Sequence, residues 1–477
     1  MPWPSLTNLL RTISSPPLLR ALILSAAFLL FFLLLSPNPL FRPHTGAAPT
    51  AVSAHAPTSP SHLLFGIASS ARSWPRRKPY LRLWWRPGLL HGTVFLDSPI
   101  ASDGDDPRLP PTRVSADTSR FPYAFERGLR SAVRVARIVK ELVDGVVGNG
   151  SSDDADIRWV VLGDDDTVFF PDNLAGTLTK YDWKRWYYVG GRSESVEQNA
   201  KHSFSMAFGG GGFAISFPLA KVLASALDSC LVRYAHLYGS DDRVFSCLAE
   251  LGVGLTHEPG FHQVDVHGDI FGILSAHPLT PLISLHHIDR VEPLFPGMTR
   301  MAALEHLSKA VDIDPGRILQ QAVCYDSLKL LTISISWGYA VQVFEGNQLL
   351  TDLLSVPKTF TSWKRGRDAS LGSYMFNTKE PDKDPCKRPN VYYLKSVVLH
   401  KNRAQSNYTR DALGNCQKRK STMKDLKQII VFSQRLYHQP GEAIRRECCE
   451  VLQTSSETVM EIDIRKCKDG ELIAMHR

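Results

Sequence analysis

The first 96 residues contain no Asp or Glu, and the first 229 contain no cysteine. No two cysteines stand in a CxxC pair, so metal-thiolate spacing is absent. No unbroken apolar run reaches the roughly 20 residues of an ordinary membrane span, and no internal repeat is present. The missing acids skew the charge. Nine basic residues precede Asp97, which leaves 46 basic against 47 acidic residues from there on, so the net charge of +8 belongs to one end of the chain. A near-neutral body without basic-aromatic interleaving excludes nucleic acid as an expected partner.

What remains is ordinary globular material: 477 residues, 43% of them hydrophobic, enough for two to three domains with a real core. Residues 21–35 are uncharged and almost wholly apolar. With the flanking Leu18, Leu19, Leu40 and Phe41 they approach the lower limit of about 17 residues for a span. Arg11 and Arg20 on the amino side predict a cytosolic tail over residues 1–20 and a luminal body. A cleaved signal peptide is the competing reading, but the small-residue site Ala54-His55-Ala56 lies far beyond the apolar core. Residues 36–61, rich in Pro, Ala, Ser and Thr, predict a flexible stem. Eight cysteines at Cys230 or later suit disulfides in an oxidising lumen, and the sequons Asn149-Gly150-Ser151 and Asn407-Tyr408-Thr409 agree with that compartment.

Strands are predicted at Leu63–Ile67, Thr93–Leu96, Ile157–Leu162, Trp186–Val189 and Phe213–Ser216. Helices are predicted over Leu129–Val143, with Arg130, Arg134, Arg137 and Glu141 on its polar face and Gly145 ending it, and over Leu219–Leu231 and Asp241–Leu251. This alternation predicts a layered α/β domain over residues 62–300 with a mostly parallel sheet. Alternating runs such as Leu331–Trp337, Tyr339–Phe344 and Val391–Leu399, with six of the eight cysteines and few helical patterns, predict a smaller β-rich domain over residues 301–477.

Four clusters carry chemistry. Asp164, Asp165 and Asp166 follow a buried strand directly, and three adjacent carboxylates there require a positive partner. The carboxyl end of a strand is where open α/β sheets bind ligands, and Asp164 and Asp166 point to one side, as a hard divalent ion needs. The bland reading is an acidic turn. Gly209 to Gly212 would let backbone amides approach a ligand, or form a plain loop. Ser240 reads as an N-cap with Asp241 and Asp242 in the first helical turn; either carboxylate facing the sheet edge would serve as a general base. His286 and His287 end an apolar run, and one imidazole would complete a metal shell.

These pieces, with Leu64-Phe65-Gly66-Ile67-Ala68, Leu83-Trp84-Trp85-Arg86-Pro87, Asp117-Thr118-Ser119-Arg120-Phe121, Gly163-Asp164-Asp165-Asp166-Thr167, Tyr238-Gly239-Ser240-Asp241-Asp242-Arg243, Gly260-Phe261-His262-Gln263 and Ser284-Leu285-His286-His287, resemble fringe-like glycosyltransferases. The closest likeness is to the plant fringe-related family, whose C-terminal extension Cys324-Tyr325-Asp326 and Trp337-Gly338-Tyr339 resemble. The resemblance implies a GT-A-like nucleotide-sugar-binding domain in a single-pass type II Golgi membrane protein, with the endoplasmic reticulum as the alternative location. It implies inverting transfer of a hexose or N-acetylhexosamine from a UDP-sugar to a glycan or glycoprotein hydroxyl. Mn²⁺ or Mg²⁺ would be held by Asp164, Asp166 and His287, with His286 the alternate. Asp164, Asp165, Gly210, Gly211 and Gly212 would bind the nucleotide sugar, and Asp242 would be the base, with Asp241 the fallback. A catalytically silent glycan-binding or scaffolding protein and a two-carboxylate glycoside hydrolase are the other readings. The acceptor of animal fringe proteins is not carried over, because those proteins lack the extension.

Overall fold

The computed structural model describes residues 56–100, 106–149, 156–363, 372–411, 425–437, 444–453 and 455–475, together with isolated helical positions Ala21, Ser25, Ala26 and Phe28. The rest of the predicted anchor and nearly all of the stem lie outside the described residues. Among the described residues no helix is long and apolar enough to cross a membrane. From Pro57 onward the chain forms one compact unit.

Every side chain of the strand Leu63–Ala68 is buried, as is every one of Trp159–Asp164 except the last. Burial on both faces is what a parallel strand inside a covered sheet requires. Seven strands form the main sheet, in the order Thr112–Val114, His91–Leu96, Leu63–Ala68, Trp159–Asp164, Phe213–Ser216, Tyr188–Gly190, Leu255–His257. The first four run parallel, Phe213–Ser216 runs antiparallel to both its neighbours, and the last two are parallel to each other. One face is covered by the helices Ile138–Asn149, Phe217–Arg233 and Ser240–Glu250, whose Leu142, Leu223 and Leu248 meet Leu64, Val160 and Ile215. The mixed α/β expectation therefore holds.

Two local expectations fail. The predicted helix over Leu129–Val143 is two helices, Ser131–Ala136 and Ile138–Asn149, the second running past Gly145. Of its polar face only Arg130 is exposed. Arg134 donates to the carbonyls of Ser69 and Phe95, Arg137 pairs with Asp228, and Glu141 accepts from the amide of Ala116, all three side chains being buried. The helix start predicted at Ser240 moves by one residue: Gly239 is the N-cap, and Asp242 takes its amide at 3.0 Å.

The C-terminal region is β-rich, as expected, but opens with a long helix that the sequence reading omitted. Arg300–Ile313 is capped by the Thr299 hydroxyl and buries Ala303, Leu304, Leu307 and Ala310. Those side chains share one core with Phe65 and Trp84 of the α/β region and with Ile333 and Ile462 beyond, so the boundary near residue 300 marks a change of sheet within one core. Eight strands follow, in the order Gln321–Asp326, Leu331–Ser336, Ala340–Glu345, Asn390–His400, Arg403–Arg410, Gln428–Gln434, Val459–Arg465, Cys448–Leu452. This sheet curls until its first and last strands touch, and the disulfide Cys324–Cys449 joins them. Two exposed edges, which would invite pairing with other chains, are thereby covered. Cys230–Cys247 and Cys448–Cys467 are also bonded.

Because Cys324 and Cys449 are 125 residues apart, their crosslink restricts the unfolded chain strongly. The pair Cys324→Ser/Cys449→Ser should lose about 2–5 kcal/mol of stability. A chemical-denaturation series checks this, with fluorescence reporting unfolding.

Candidate metal and substrate cleft

The strand Trp159–Asp164 delivers the three carboxylates into three different surroundings. A turn follows at once: the amide of Asp164 donates to the Thr167 hydroxyl at 2.9 Å, and that hydroxyl donates to the carbonyl of Gly210 at 2.7 Å. A small sheet of Val168–Phe169, Ser284–Leu285 and Phe261–His262 then aligns Leu285 with both Val168 and His262. This register brings His286 beside the acids.

Asp166 is almost fully buried. Its Oδ2 lies 2.6 Å from Nη1 of Arg77, and its Oδ1 lies 3.2 Å from Nε2 of His286. Burial would push its carboxyl pKa up, but His286 and Arg77 outweigh that and hold it well below the usual carboxylate range. Burial alone would also lower the pKa of His286. The carboxylates of Asp166 and Asp164 reverse the sign and raise it to about 9. Asp164 stands at the cleft floor, where loss of solvent and the neighbouring carboxylates Asp166, Asp165 and Asp241 push it up to about 7 against the pull of His286. The side chain nevertheless keeps 43% of its surface open to water, which screens its charge.

Asp165 turns away from the cleft. It accepts from the hydroxyls of Ser69 and Ser73 at 2.7 Å each and from Arg77 at 3.0 Å, and it is buried. Its role is to seat the helix Trp74–Arg82 that carries Arg77, in place of the nucleotide contact that the resemblance assigned to it. His287, the preferred ligand on that resemblance, also points elsewhere. Its Nδ1 lies 3.2 Å from Asp265, and its ring stacks on the indole of Trp363 at 4.4 Å. His286, the alternate, is the histidine that joins the acids: donor atoms of Asp164, Asp166 and His286 all lie within 4.8 Å of one another.

The four glycines are a close-packed strip, not a loose loop. A Cβ on Gly210 would stand 2.0 Å from Cε1 of His286, and Gly212, at φ +82°, would drive one into Phe169. Gly211 donates to Gln263 at 2.6 Å and accepts from the Ser284 hydroxyl. Gly209 and Gly210 line the cleft, whereas Gly211 and Gly212 face the interior. Gly209 also donates to Asp241 at 3.1 Å, and Asp241 lines the cleft with its pKa raised by burial and by Asp242. Asp242 is engaged at the helix start, with Oδ1 3.1 Å from Nδ1 of His202.

The cleft has a volume of about 610 Å³, within the range of small-molecule sites. Several of its residues escaped the sequence reading, and two of these matter most. Arg290 is the one Lys or Arg side chain on its wall among the described residues. Trp363 comes from the C-terminal region, carried there by pairing of Phe360–Ser362 with Val266–Gly268, and it stacks on His267 as well as His287. A third omission is Arg77, which lay within the basic segment taken for tail charge; an acidic triplet asking for a cation was the available signal.

The family model described as "Protein of unknown function, DUF604" matches residues 198–449. The chain belongs to this family. The matched stretch begins beyond the acidic triplet and contains Gly209 to Gly212, Asp241, Asp242, His286, His287 and Trp363. No curated relative matches the chain.

The residues fit a divalent cation. Two carboxylates and an imidazole converge, Oδ1 of the buried Asp166 faces only the His286 ring, and Nδ1 of His286 has no hydrogen-bond partner. With an ion in place, its charge takes over the task that the His286 proton performs. Arg77→Gln should cost about 3 kcal/mol, the lower end for breaking a buried pair because Arg77 is 27% exposed, as read from urea melts. Gly210→Ala should cost about 1–3 kcal/mol by overpacking and shift the His286 imidazole resonances in a proton–nitrogen spectrum. Unchanged resonances would refute the close packing.

Proposed function

We propose that this chain is a metal-dependent glycosyltransferase that moves a hexose or N-acetylhexosamine from a UDP-sugar to a hydroxyl of a glycan or glycoprotein, with inversion. The α/β region would then be a GT-A-like domain, working from a Golgi membrane on an amino-terminal anchor. The observation that carries the reading is the convergence of Asp164, Asp166 and His286 at the carboxyl end of a central parallel strand. That is where an open α/β sheet offers its ligand site. Membership of a family carried by plant fringe-related proteins supports it.

Asp164, Asp166 and His286 would hold Mn²⁺ or Mg²⁺. When bound, the ion supplies positive charge that stabilises the departing diphosphate. Arg290 adds a fixed cation on the same wall. Gly209, having no side chain, would leave room for the sugar beside it, while Gly210 makes room for the His286 ring.

Transfer needs a base on the acceptor side. As the acceptor oxygen bonds to the anomeric carbon, the bond to UDP breaks with its electron pair, and the acceptor proton passes to a carboxylate. The resemblance favours Asp242, but the geometry favours Asp241. Asp241 lines the cleft, and a carboxyl pKa raised by burial makes a stronger base. Asp242 is occupied by the Gly239 amide and His202.

Calorimetric titration of UDP into the unit from Pro57 to Arg477 should show binding with Mn²⁺ and none with chelator. Asp166→Asn should abolish that binding. Asp241→Asn should leave UDP affinity within about twofold and cut transfer by about 10²–10⁴-fold; the larger transfer loss in Asp242→Asn would reassign the base. Absence of UDP binding to the folded wild type would sink the transferase reading and favour a silent glycan-binding protein.

A further inference from the structure

A second cavity, of about 960 Å³, is larger than the cleft and shares no lining residue with it. It lies where the helix Pro171–Leu178 meets the helix Arg300–Ile313 and the Trp84-Trp85 segment. Its lining mixes apolar side chains, Trp85, Phe170, Pro171 and Pro315 among them, with charged ones that balance: Arg86, Lys180 and Arg435 against Asp172, Asp312 and Asp314. Several of these charges are already matched within the protein. Arg86 lies 3.0 Å from Asp172, and Lys180 lies 2.9 Å from Glu258.

Two details indicate that something polar completes this cavity. The hydroxyl of Thr177, a residue 1% exposed, has no hydrogen-bond partner, although a helical threonine commonly bonds the carbonyl one turn back. Nη2 of Arg86 is likewise buried without a partner. Both residues line the cavity, and buried polar atoms are rarely left unpaired. Gly176, also on the lining, occupies a helical position at which a Cβ would meet nothing within 4 Å. Glycine weakens a helix interior, and here its effect is to leave the cavity open.

We propose that this second cavity binds a neutral oligosaccharide. Balanced charge gives no field to attract a phosphate or a nucleotide. Apolar and aromatic side chains interspersed with donors and acceptors match the mixed surface of a sugar ring: C–H groups on its faces, hydroxyls at its edge. The choice of sugar over other neutral polar ligands rests on the transferase reading above. The segment Val168–Asn173 that lines the cavity is separated from the acidic triplet by Thr167 alone, so a glycan held here would lie against the structure that carries the reaction centre.

The test is titration of the intact protein with neutral hexaoses of glucose, xylose, galactose and mannose, followed by saturation-transfer NMR. At least one should bind with a Kd at or below about 1 mM. Gly176→Phe, which fills open space, should weaken that binding at least about tenfold while leaving Mn²⁺-dependent UDP binding unchanged and the melting temperature no lower. Asp172→Asn, which keeps the cavity's shape, should weaken it as well. Absence of binding by all four hexaoses, or equal binding by the Gly176→Phe variant, overturns the proposal. Loss of UDP binding in the wild type would refute the transferase reading alone, since sugar binding is measured separately.

Discussion

A buried carboxylate that stays ionised dictates the arrangement around it. Asp166 sits at the end of a central strand with almost no exposure, and a charge in that position survives only when cations and hydrogen-bond donors surround it. Arg77 meets one oxygen and His286 approaches the other. Each of those groups needs its own support. The helix of Arg77 is held by Asp165 through Ser73, and the ring of His286 can lie where it does because Gly210 has no side chain. The acidic triplet, the glycine strip and the paired histidines, separate clusters along the sequence, are thus parts of one electrostatic solution.

That dependence explains what could be read in advance. Strand and helix periodicity located five strands of the main sheet and the helices Phe217–Arg233 and Ser240–Glu250 to within a few residues, helped by burial on both faces of Leu63–Ala68 and Trp159–Asp164, which leaves an unbroken apolar signature. Periodicity misled where charge goes inside. Arg134, Arg137 and Glu141 read as a solvated helix face, yet they bond backbone carbonyls, an amide and Asp228 in the interior. The helix Trp74–Arg82 went unread because Pro75 and Pro79 and its basic run mask its pattern, and Arg77 went with it.

Among the site residues, types and neighbourhoods were legible, whereas orientations were not. That three acids at a strand end need a cation follows from electrostatics alone. Which of two adjacent histidines faces them depends on the register of Ser284–Leu285 against Val168–Phe169, and on the left-handed backbone at His287, φ 54°, that turns its ring towards Asp265 and Trp363. Likewise, Asp241 and Asp242 differ by one helical position. The capping bond from Gly239 decides which of them is committed to the helix start.

Trp363 bears on how the C-terminal region should be regarded. It lies 76 residues beyond His287 in sequence, yet its ring stacks on that histidine and on His267, beyond any local pattern. The strand preceding it pairs with Val266–Gly268, and a second bridge joins Tyr374 to Ser195 on the α/β side. The β-rich region also shares the core that backs the acidic triplet, through Phe169, Phe295 and Tyr339. An appended module would leave the cleft whole when removed. Here removal would strip Trp363 from the cleft and expose the core behind it, so the cleft depends on the α/β and β-rich regions together.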